Sequence, residues 1–240
     1  VLKMTQEAVK LANIQTTRLS ASSNTGEIKK IELSGKIASD ERRAFAIVSH
    51  LPGRIEKLYV SFTGEKIRKG QKIAEIYSPE LIGAQQDLLE ALKLRSLNPD
   101  LFEAAKKKME YWKVDSSFVV ELINKKEIQE TFSLFADKSG TVSTRNVSLG
   151  DYVNKGESLL ECIDLNKVWA VFDAYESDLA DIRLGDPIQF TTPAAPNRQF
   201  VSRISFIDPI IDSDRRVSLV RGEISNGAGL LKPEMLIQGV

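Results

Sequence analysis

Few residues in this sequence could carry catalysis or bind a metal. His50 is the only histidine and Cys162 the only cysteine, so the sequence holds no internal disulfide and no CxxC metal site. It contains no GxxxxGK[ST], no GxGxxG after a strand and no HExxH motif. Met109 and Met235 fall at apolar positions of a predicted helix and strand, and Met4 by itself would be a weak ligand for a soft metal. These patterns predict a protein that is not an enzyme, with no catalytic residue, no cofactor site and no metal site.

One cluster of charges could be interpreted as a cation site. It combines aspartates with nearby arginines: Asp208, Asp212, Asp214, Arg215, Arg216 and Arg221. Because a cation cage needs oxygen ligands that converge, pairing of opposite charges at a strand turn is the preferred interpretation. His50 at a strand end favours a structural or solvated role. Cys162 at an apolar strand position favours a buried, inert thiol.

Charge and hydropathy restrict the possible partners. The 240 residues include 33 basic and 33 acidic side chains, so no concentrated basic surface points to nucleic acid. The hydrophobic fraction of 42% and the aromatic fraction of 7% are typical of a globular protein. No run approaches the roughly 18 apolar residues of a membrane span, and no signal peptide is present. Because the sequence starts at Val1 without an initiator methionine, we expect any signal or anchor to lie upstream.

The elements that must position these residues are organised around a stretch that occurs twice, at 52–76 and 139–162. Aligned with a one-residue gap, the two copies share glycines, a Lys-Gly pair and branched apolar residues at matching positions. The matching glycines are predicted to shape turns: Gly53, Gly64, Gly70, Gly140, Gly150 and Gly156. Because one copy has too few strands to bury a face, we expect the two copies to fold against each other.

Between the copies, residues 77–138 change their apolar period from two to about 3.6. The pair Ser78-Pro79 is a good N-cap followed by a first-turn proline, which predicts a helix of about 19 residues up to Leu97. The pair Asn98-Pro99 predicts the start of a second helix, and Asp115 is predicted to cap a short third one. The predicted apolar faces comprise Leu81, Ala84, Leu88 and Leu92, then Phe102, Ala105, Met109 and Trp112, then Phe118, Val119, Leu122 and Ile123.

The rest of the sequence is rich in strand signals. Strands are predicted within 28–48 and again at 168–172, 187–192, 200–207, 218–224 and 235–240, separated by Pro, Gly, Asn and Asp. Their spacing is typical of a small barrel or sandwich, and we expect the strands before the first copy to belong to it. The predicted fold class is therefore mainly β with an α-helical insertion.

The two copies resemble the two halves of a lipoyl or biotinyl domain. Carrier domains of that fold hold a modified lysine, usually flanked by methionine, on a tight hairpin between the halves. Here the helical insertion takes the place of that hairpin, and no Met-Lys-Met occurs. A lipoyl domain that is split by helices and followed by a small barrel resembles the HlyD-type membrane fusion proteins, the periplasmic adaptors of tripartite efflux pumps.

Local motifs are similar to those of the heavy-metal (cation) efflux branch of that family, and the short three-helix insertion favours the same branch. The matching residues are Ser78-Pro79-Glu80-Leu81 with Ala84-Gln85, Leu165, Val168-Trp169, Glu176, Leu179, Gly185-Asp186, Ile207-Asp208-Pro209, Asp212, Arg216, Leu231-Lys232-Pro233 and Met235. Two departures affect the expected turn geometry. Arg215 and Val217 replace threonines beside the family arginine, and Glu234 replaces a glycine.

The resemblance implies an elongated, modular adaptor. Residues 1–26 would belong to a partial membrane-proximal domain, and 27–48 with 165–240 would form a β-barrel. Residues 49–78 with 133–164 would form the split lipoyl-like domain, and 79–132 the helical hairpin or three-helix bundle.

The resemblance also implies partners. The adaptor would link an inner-membrane resistance-nodulation-division (RND) pump to an outer-membrane channel, and it would self-associate as a trimer or hexamer. It would lie in the periplasm, anchored to the inner membrane through an upstream segment. Contact with the channel is expected at the helical tip, through Arg95, Ser96, Leu97, Asn98 and Asp100.

Three other interpretations stay open at this point. The first is an adaptor for multidrug or type I secretion export. The second is the biotinyl or lipoyl carrier domain of an enzyme, which would need a modified lysine. The third is a scaffold with no role in transport.

Overall fold

The structure, a computed structural model, describes residues 30–114 and 116–240. The expected membrane-proximal segment at 1–26, Met4 and the Asp115 cap lie outside these residues. The chain divides into two compact units, and the description below concerns the unit Glu32–Val240.

That unit contains fourteen strands and four helices among its described residues. The strands are β1 Leu33–Ser39, β2 Ala44–Val48, β3 Gly53–Leu58, β4 Lys66–Ile67, β5 Lys72–Tyr77, β6 Thr131–Phe135, β7 Gly140–Arg145, β8 Tyr152–Val153, β9 Ser158–Ile163, β10 Lys167–Tyr175, β11 Pro187–Thr192, β12 Ala195–Asp212, β13 Val217–Ser225 and β14 Leu236–Gly239. The helices are α1 Pro79–Lys93, α2 Pro99–Tyr111, α3 Ser116–Lys125 and the single turn α4 Glu176–Leu179. The fold is mainly β with a helical insertion, as the sequence predicts.

Six antiparallel strands close into a barrel in the order β1-β10-β13-β12-β11-β14. Along β11 buried and exposed residues alternate strictly, which is the pattern of a strand with one face toward a core. Phe190 is buried inside the barrel, with its ring centroid 5.7 Å from that of Phe172 and 5.4 Å from that of Phe200. Closure leaves this sheet without a free edge.

The two copies of the repeat form a sandwich of two four-stranded sheets, β2-β9-β7-β4 and β6-β5-β3-β8. Each sheet takes a short strand from the other copy, since β4 pairs with β7 and β8 pairs with β3. Hydrogen bonds of the turns also join one copy to the other. Gly64 N–H donates to the carbonyl of Val142 at 2.7 Å, and Gly150 N–H donates to that of Ile55 at 2.9 Å. The prediction that the copies fold against each other is confirmed.

The prediction that residues 27–48 belong to the barrel is wrong for the part that forms β2. This strand pairs with β9 of the sandwich through Ala44 to Val48, whereas β1 pairs with barrel strands β10 and β14. Between them, the carboxylate of Asp40 accepts the backbone N–H of Arg42 at 3.1 Å and begins the helical turn Glu41–Arg43. The alternation of Phe45 and Ile47 therefore identifies a strand correctly, but alternation does not specify which sheet the strand joins.

Two of the six repeat glycines do not lie in turns, contrary to the prediction. Gly53 and Gly140 begin β3 and β7. A Cβ at Gly53 would lie 2.3 Å from the carbonyl oxygen of Tyr77, so this position needs glycine because two backbones approach closely. The other four have φ between +80° and +88°, the left-handed region that favours glycine. They are Gly64, Gly70, Gly150 and Gly156.

The helical insertion packs onto the sandwich through one shared hydrophobic core. The first helix ends at Lys93 rather than at the predicted Leu97, because the N–H groups of Leu97 and Asn98 both donate to the carbonyl of Leu94 in a turn. The second helix begins as predicted, with the Asn98 side chain accepting the N–H of Leu101 at 3.3 Å. The residues buried on the three helices are Leu81, Ala84, Gln85, Leu88, Ala91, Phe102, Met109, Val119 and Leu122.

Candidate functional site

The connection between α1 and α2 brings together the five residues predicted to contact a channel. Residues 93–100 are all exposed, and the Leu97 side chain is 82% exposed. Arg95 folds back over α2, with Cζ 4.7 Å from the centre of the Phe102 ring. Asn98 caps α2 and Pro99 occupies its first turn, so the connection has a defined local structure. We call residues 94–101 the helical tip.

Besides the predicted Leu97, the helical tip exposes two leucines that the sequence analysis did not name. Leu94 and Leu101 are each 45% exposed and flank Leu97. Leu94 and Leu101 line one shallow surface pocket, and with Leu97 they place three exposed leucines within eight residues, which is typical of surfaces that bind another protein. The sequence did contain a sign of these exposed leucines, because leucines recur after Ala91, the last buried residue of α1.

At the other end of the insertion, Gln85 joins α1 to the segment that returns to the sandwich. The Gln85 side chain is fully buried. Its Oε1 accepts the backbone N–H of Gln129 at 2.8 Å, and its Nε2 donates to the Gln129 carbonyl at 2.7 Å. We call this pair the glutamine clamp. Sequence reasoning noted Gln85 only as part of a motif, although a glutamine within the apolar face Leu81–Leu88 was a signal for a buried polar contact.

His50 and Cys162 show the character that the sequence predicted. Cys162 is buried in β9, and burial raises the pKa of its thiol to about 11. His50 is half-buried, and desolvation together with nearby Lys113 lowers its pKa. A thiol with a raised pKa is mostly protonated at neutral pH and is therefore a weak nucleophile.

The acidic cluster at the end of β12 is held by arginine and by backbone N–H groups. Asp212 accepts the N–H groups of Asp214 and Arg215 at 3.0 and 3.1 Å, and its Oδ2 accepts Nε of Arg215 at 3.0 Å. Hydrogen bonds from Arg215 lower the pKa of Asp212. This is the charge pairing predicted from the spacing. Among residues 30–114 and 116–240, no three His, Cys, Asp or Glu side chains converge as metal ligands would.

Two left-handed backbone positions lie at the expected turn sequences: the family arginine Arg216, which the departures Arg215 and Val217 flank, and the departure Glu234. Arg216 has φ +53° and Glu234 has φ +68°. Glu234 keeps the turn next to β1, since its N–H donates to the Ile37 carbonyl at 2.8 Å and its carboxylate pairs with Lys36 at 2.7 Å. The turn geometry that glycine would favour is therefore kept, at the cost of a less favoured backbone conformation.

Comparison with known families follows this division of the chain. A model described as the CusB barrel-sandwich hybrid domain matches residues 45–162, and one described as a CusB-like β-barrel domain matches residues 167–239. The chain belongs to the CusB-like membrane fusion proteins. Within this family, the sandwich of sheets β2-β9-β7-β4 and β6-β5-β3-β8 is the barrel-sandwich hybrid domain, and the match begins inside β2.

Curated relatives of this CusB-like chain are metal-resistance and efflux proteins by name. The cation efflux system protein CusB of Escherichia coli K12 is 24% identical over 192 residues, which cover 80% of this chain and 47% of CusB. The cobalt-zinc-cadmium resistance protein CzcB of Cupriavidus metallidurans is 20% identical over 230 residues, covering 86% of this chain and 44% of CzcB. The chain thus spans about half the length of the curated relatives it matches.

Solved structures share the fold. The crystal structure of ZneB from Cupriavidus metallidurans superposes with a TM-score of 0.57 at 21% identity, covering 87% of this chain and 96% of ZneB. A chimera of MacA that carries the MexA α-hairpin of Pseudomonas aeruginosa gives 0.56 at 20% identity, covering 87% and 79%. In the described part of this CusB-like chain, no helix is long and apolar enough to span a membrane.

Proposed function

We propose that this protein is the periplasmic adaptor of a tripartite efflux pump, linking an inner-membrane RND transporter to an outer-membrane channel. The observation that carries the proposal is the joint occurrence of a CusB barrel-sandwich hybrid domain and a CusB-like β-barrel in one chain. In this arrangement the lipoyl-type fold is a spacer. The hairpin that would display a modified lysine in a carrier protein is replaced by three helices between β5 and β6.

The proposed cargo is a heavy-metal cation. CusB and CzcB are named for cation efflux and for cobalt, zinc and cadmium resistance, and both match across most of this chain. The ion is the substrate of the assembled pump, and the adaptor's contribution is mechanical. The adaptor holds the transporter and the channel in alignment.

Each end of the described unit has a proposed contact. The helical tip, with three exposed leucines and the charged residues Arg95 and Asp100, contacts the channel. The barrel faces the transporter. The proposal includes self-association as a trimer or hexamer around the channel axis, and attachment to the inner membrane through sequence upstream of this chain.

The experiment that tests the proposal measures metal and drug resistance in the native host after deletion of the gene. Increased sensitivity to copper, silver, zinc, cobalt or cadmium salts is expected, restored by the wild-type gene. Increased sensitivity to drugs alone would refute heavy-metal cargo and support the multidrug alternative. Unchanged resistance to every compound, with no channel or transporter co-purified, would refute the adaptor role.

The tip contact has its own matched test. Leu97→Asp places a charge in the exposed patch and is expected to reduce the amount of channel that co-purifies with the adaptor, because a buried unpaired charge opposes association. Leu184→Asp is the control, since Leu184 is a 67% exposed leucine of the barrel. Equal channel recovery with both variants would contradict the placement of the channel contact at the helical tip.

A further inference from the structure

Three adjacent strands of the barrel wall, β10, β13 and β12, place one arginine between two aromatic residues on the outer face. Val220 and Gly222 of β13 are buried, so Arg221 between them points outward. Its partner across the ladder on β12 is Phe206. A register shift between Ile204 and Phe206 brings the phenylalanine to the same face as the arginine, which is the usual effect of a β-bulge.

The guanidinium group of Arg221 contacts both aromatic rings. Its Cζ lies 4.0 Å from the centre of the Trp169 ring and 4.7 Å from the centre of the Phe206 ring. Contacts of this kind fix the position of a guanidinium while its N–H groups stay available to hydrogen-bond acceptors. Phe206 is 40% exposed and Arg221 is half-buried, whereas Trp169 is buried, so solvent reaches the cluster from the side of Phe206 and Arg221. We call Trp169, Arg221 and Phe206 the arginine cluster.

Neighbouring carboxylates are engaged with other arginines. Glu223 accepts from Arg42 at 2.6 Å, and Asp40 accepts from the same guanidinium at 2.8 Å. Asp173 pairs with Arg215 at 3.3 Å. Glu223 and Asp173 lie on the strands that carry the arginine cluster, and each already pairs with another arginine through at least one carboxylate oxygen.

Arg221 is left without an anionic partner. Within residues 30–114 and 116–240, no side-chain hydrogen bond or ion pair of Arg221 is formed. In the same part of the chain the indole N–H of Trp169 is buried and has no acceptor. Because the Trp169 N–H is buried, the guanidinium of the half-buried Arg221 is the donor of this cluster that an acceptor outside the chain can reach.

We propose that the arginine cluster binds a carboxylate side chain of a protein partner, an aspartate or glutamate on the partner's surface. A guanidinium pairs with a carboxylate through two parallel hydrogen bonds, and the half-buried guanidinium of Arg221 is positioned for this by the two rings that it contacts. Exposed apolar side chains lie on the same strands, with Ile210 75% and Tyr175 59% exposed. An arginine packed between two aromatic side chains, with exposed apolar residues on the same strands, has the composition of a binding hot spot between proteins. This site is inferred from the barrel alone and does not depend on the transport role.

The test uses Trp169 as the reporter of binding. The sequence contains two tryptophans, so Trp112→Phe leaves Trp169 as the only indole. The probe is a capped five-residue peptide with two glutamates placed between valines, and the control peptide has glutamines instead. We expect a saturable change in fluorescence with the glutamate peptide. Binding should weaken about tenfold or more in Arg221→Gln. Arg221→Lys should also weaken it, because lysine keeps the charge but loses the fork.

The control variant removes a comparable arginine elsewhere on the barrel. Arg198 lies over the Phe200 ring at 5.3 Å, and Arg198→Gln should leave peptide affinity unchanged. Thermal unfolding checks that each variant is folded. If Arg221→Gln does not fold, the peptide affinity of Arg221→Lys is compared with that of the wild type instead.

Several results would overturn the proposal. They are the absence of saturable binding up to about 10 mM peptide, equal affinity for the glutamine peptide, and undiminished binding in the Arg221 variants. Two further probes separate other sources of negative charge. Tighter binding of inorganic phosphate than of the glutamate peptide would assign the site to a free anion. Arg221-dependent binding to phosphatidylglycerol vesicles, without peptide binding, would assign it to a lipid surface.

Discussion

Replacing Gln85 by methionine should loosen the helical insertion from the barrel-sandwich hybrid domain. Methionine fills a similar volume, so little cavity is created, but both hydrogen bonds to Gln129 are lost. Each such bond contributes about 1 kcal/mol net, and a partner group left unsatisfied adds a further cost of about 1 kcal/mol. The expected loss is therefore about 2 to 3 kcal/mol of the free energy of unfolding. This is a large part of the 5–15 kcal/mol typical of a domain.

Urea unfolding measures the global effect, and hydrogen exchange measures the local one. Amide exchange of the segment around Gln129 should become roughly 30- to 100-fold faster, because each 1.4 kcal/mol changes an equilibrium tenfold. Gln86→Met is the matched control, since Gln86 is the next residue of the same helix and is exposed. A Gln85→Met variant within 0.5 kcal/mol (an estimate of ordinary surface effects) of wild type would refute the clamp. So would an equal loss in Gln86→Met.

Three further predictions concern stability and reactivity. Gly53→Ala should lower the free energy of unfolding by about 3 kcal/mol or more, because the new Cβ would lie 2.3 Å from a backbone oxygen. Gly64→Ala has open space around it and should lower that free energy by only about 1 to 2 kcal/mol, because of its positive φ. Chemical denaturation measures both losses, and a larger loss in Gly64→Ala would contradict this reasoning. Hydrogen bonds from Lys72, Lys57 and Tyr59 lower the pKa of Glu75 from 4.5 to about 2. Its stabilising effect should therefore be full above pH 4.5 and disappear as the pH falls toward 2, so the difference in melting temperature between wild type and Glu75→Gln should shrink over that interval. Cys162, with a pKa near 11, should react with maleimide at neutral pH far more slowly in the folded than in the urea-unfolded protein, and equal rates would contradict its burial.

Local signals in the sequence were sufficient to predict where the two longer helices begin. Ser78 and Asn98 each cap a helix by accepting an N–H three residues later, so the whole interaction lies within a few residues. The repeated glycines likewise indicated that two halves form one domain. Turn glycines such as Gly64 were predictable because a positive φ is a property of a single residue.

Features that depend on distant partners could not be predicted in this way. The sheet of β2 is decided by its pairing with β9, more than a hundred residues later in the chain. The requirement for glycine at Gly53 comes from the carbonyl of Tyr77 on a neighbouring strand. Gln85 and Gln129 are separated by 44 residues. Of the leucines of the helical tip, Leu97 was predicted, whereas Leu94 and Leu101 were missed. Helical periodicity predicts which residues are apolar, but exposure depends on how the chain leaves the helix.

The two ends of the helical insertion emerge from strands that are already paired. β5 and β6 are hydrogen-bonded neighbours, and their last and first residues, Tyr77 and Thr131, stand opposite each other. The sheet therefore fixes the distance between the ends of the insertion, whatever its length. Doubling the length of a flexible closed loop adds only about 0.6 kcal/mol of closure entropy, and an insertion with its own helical packing would add less. The reach of the tip can thus change during evolution by adding or removing helical turns, without redesign of the domain that supports it.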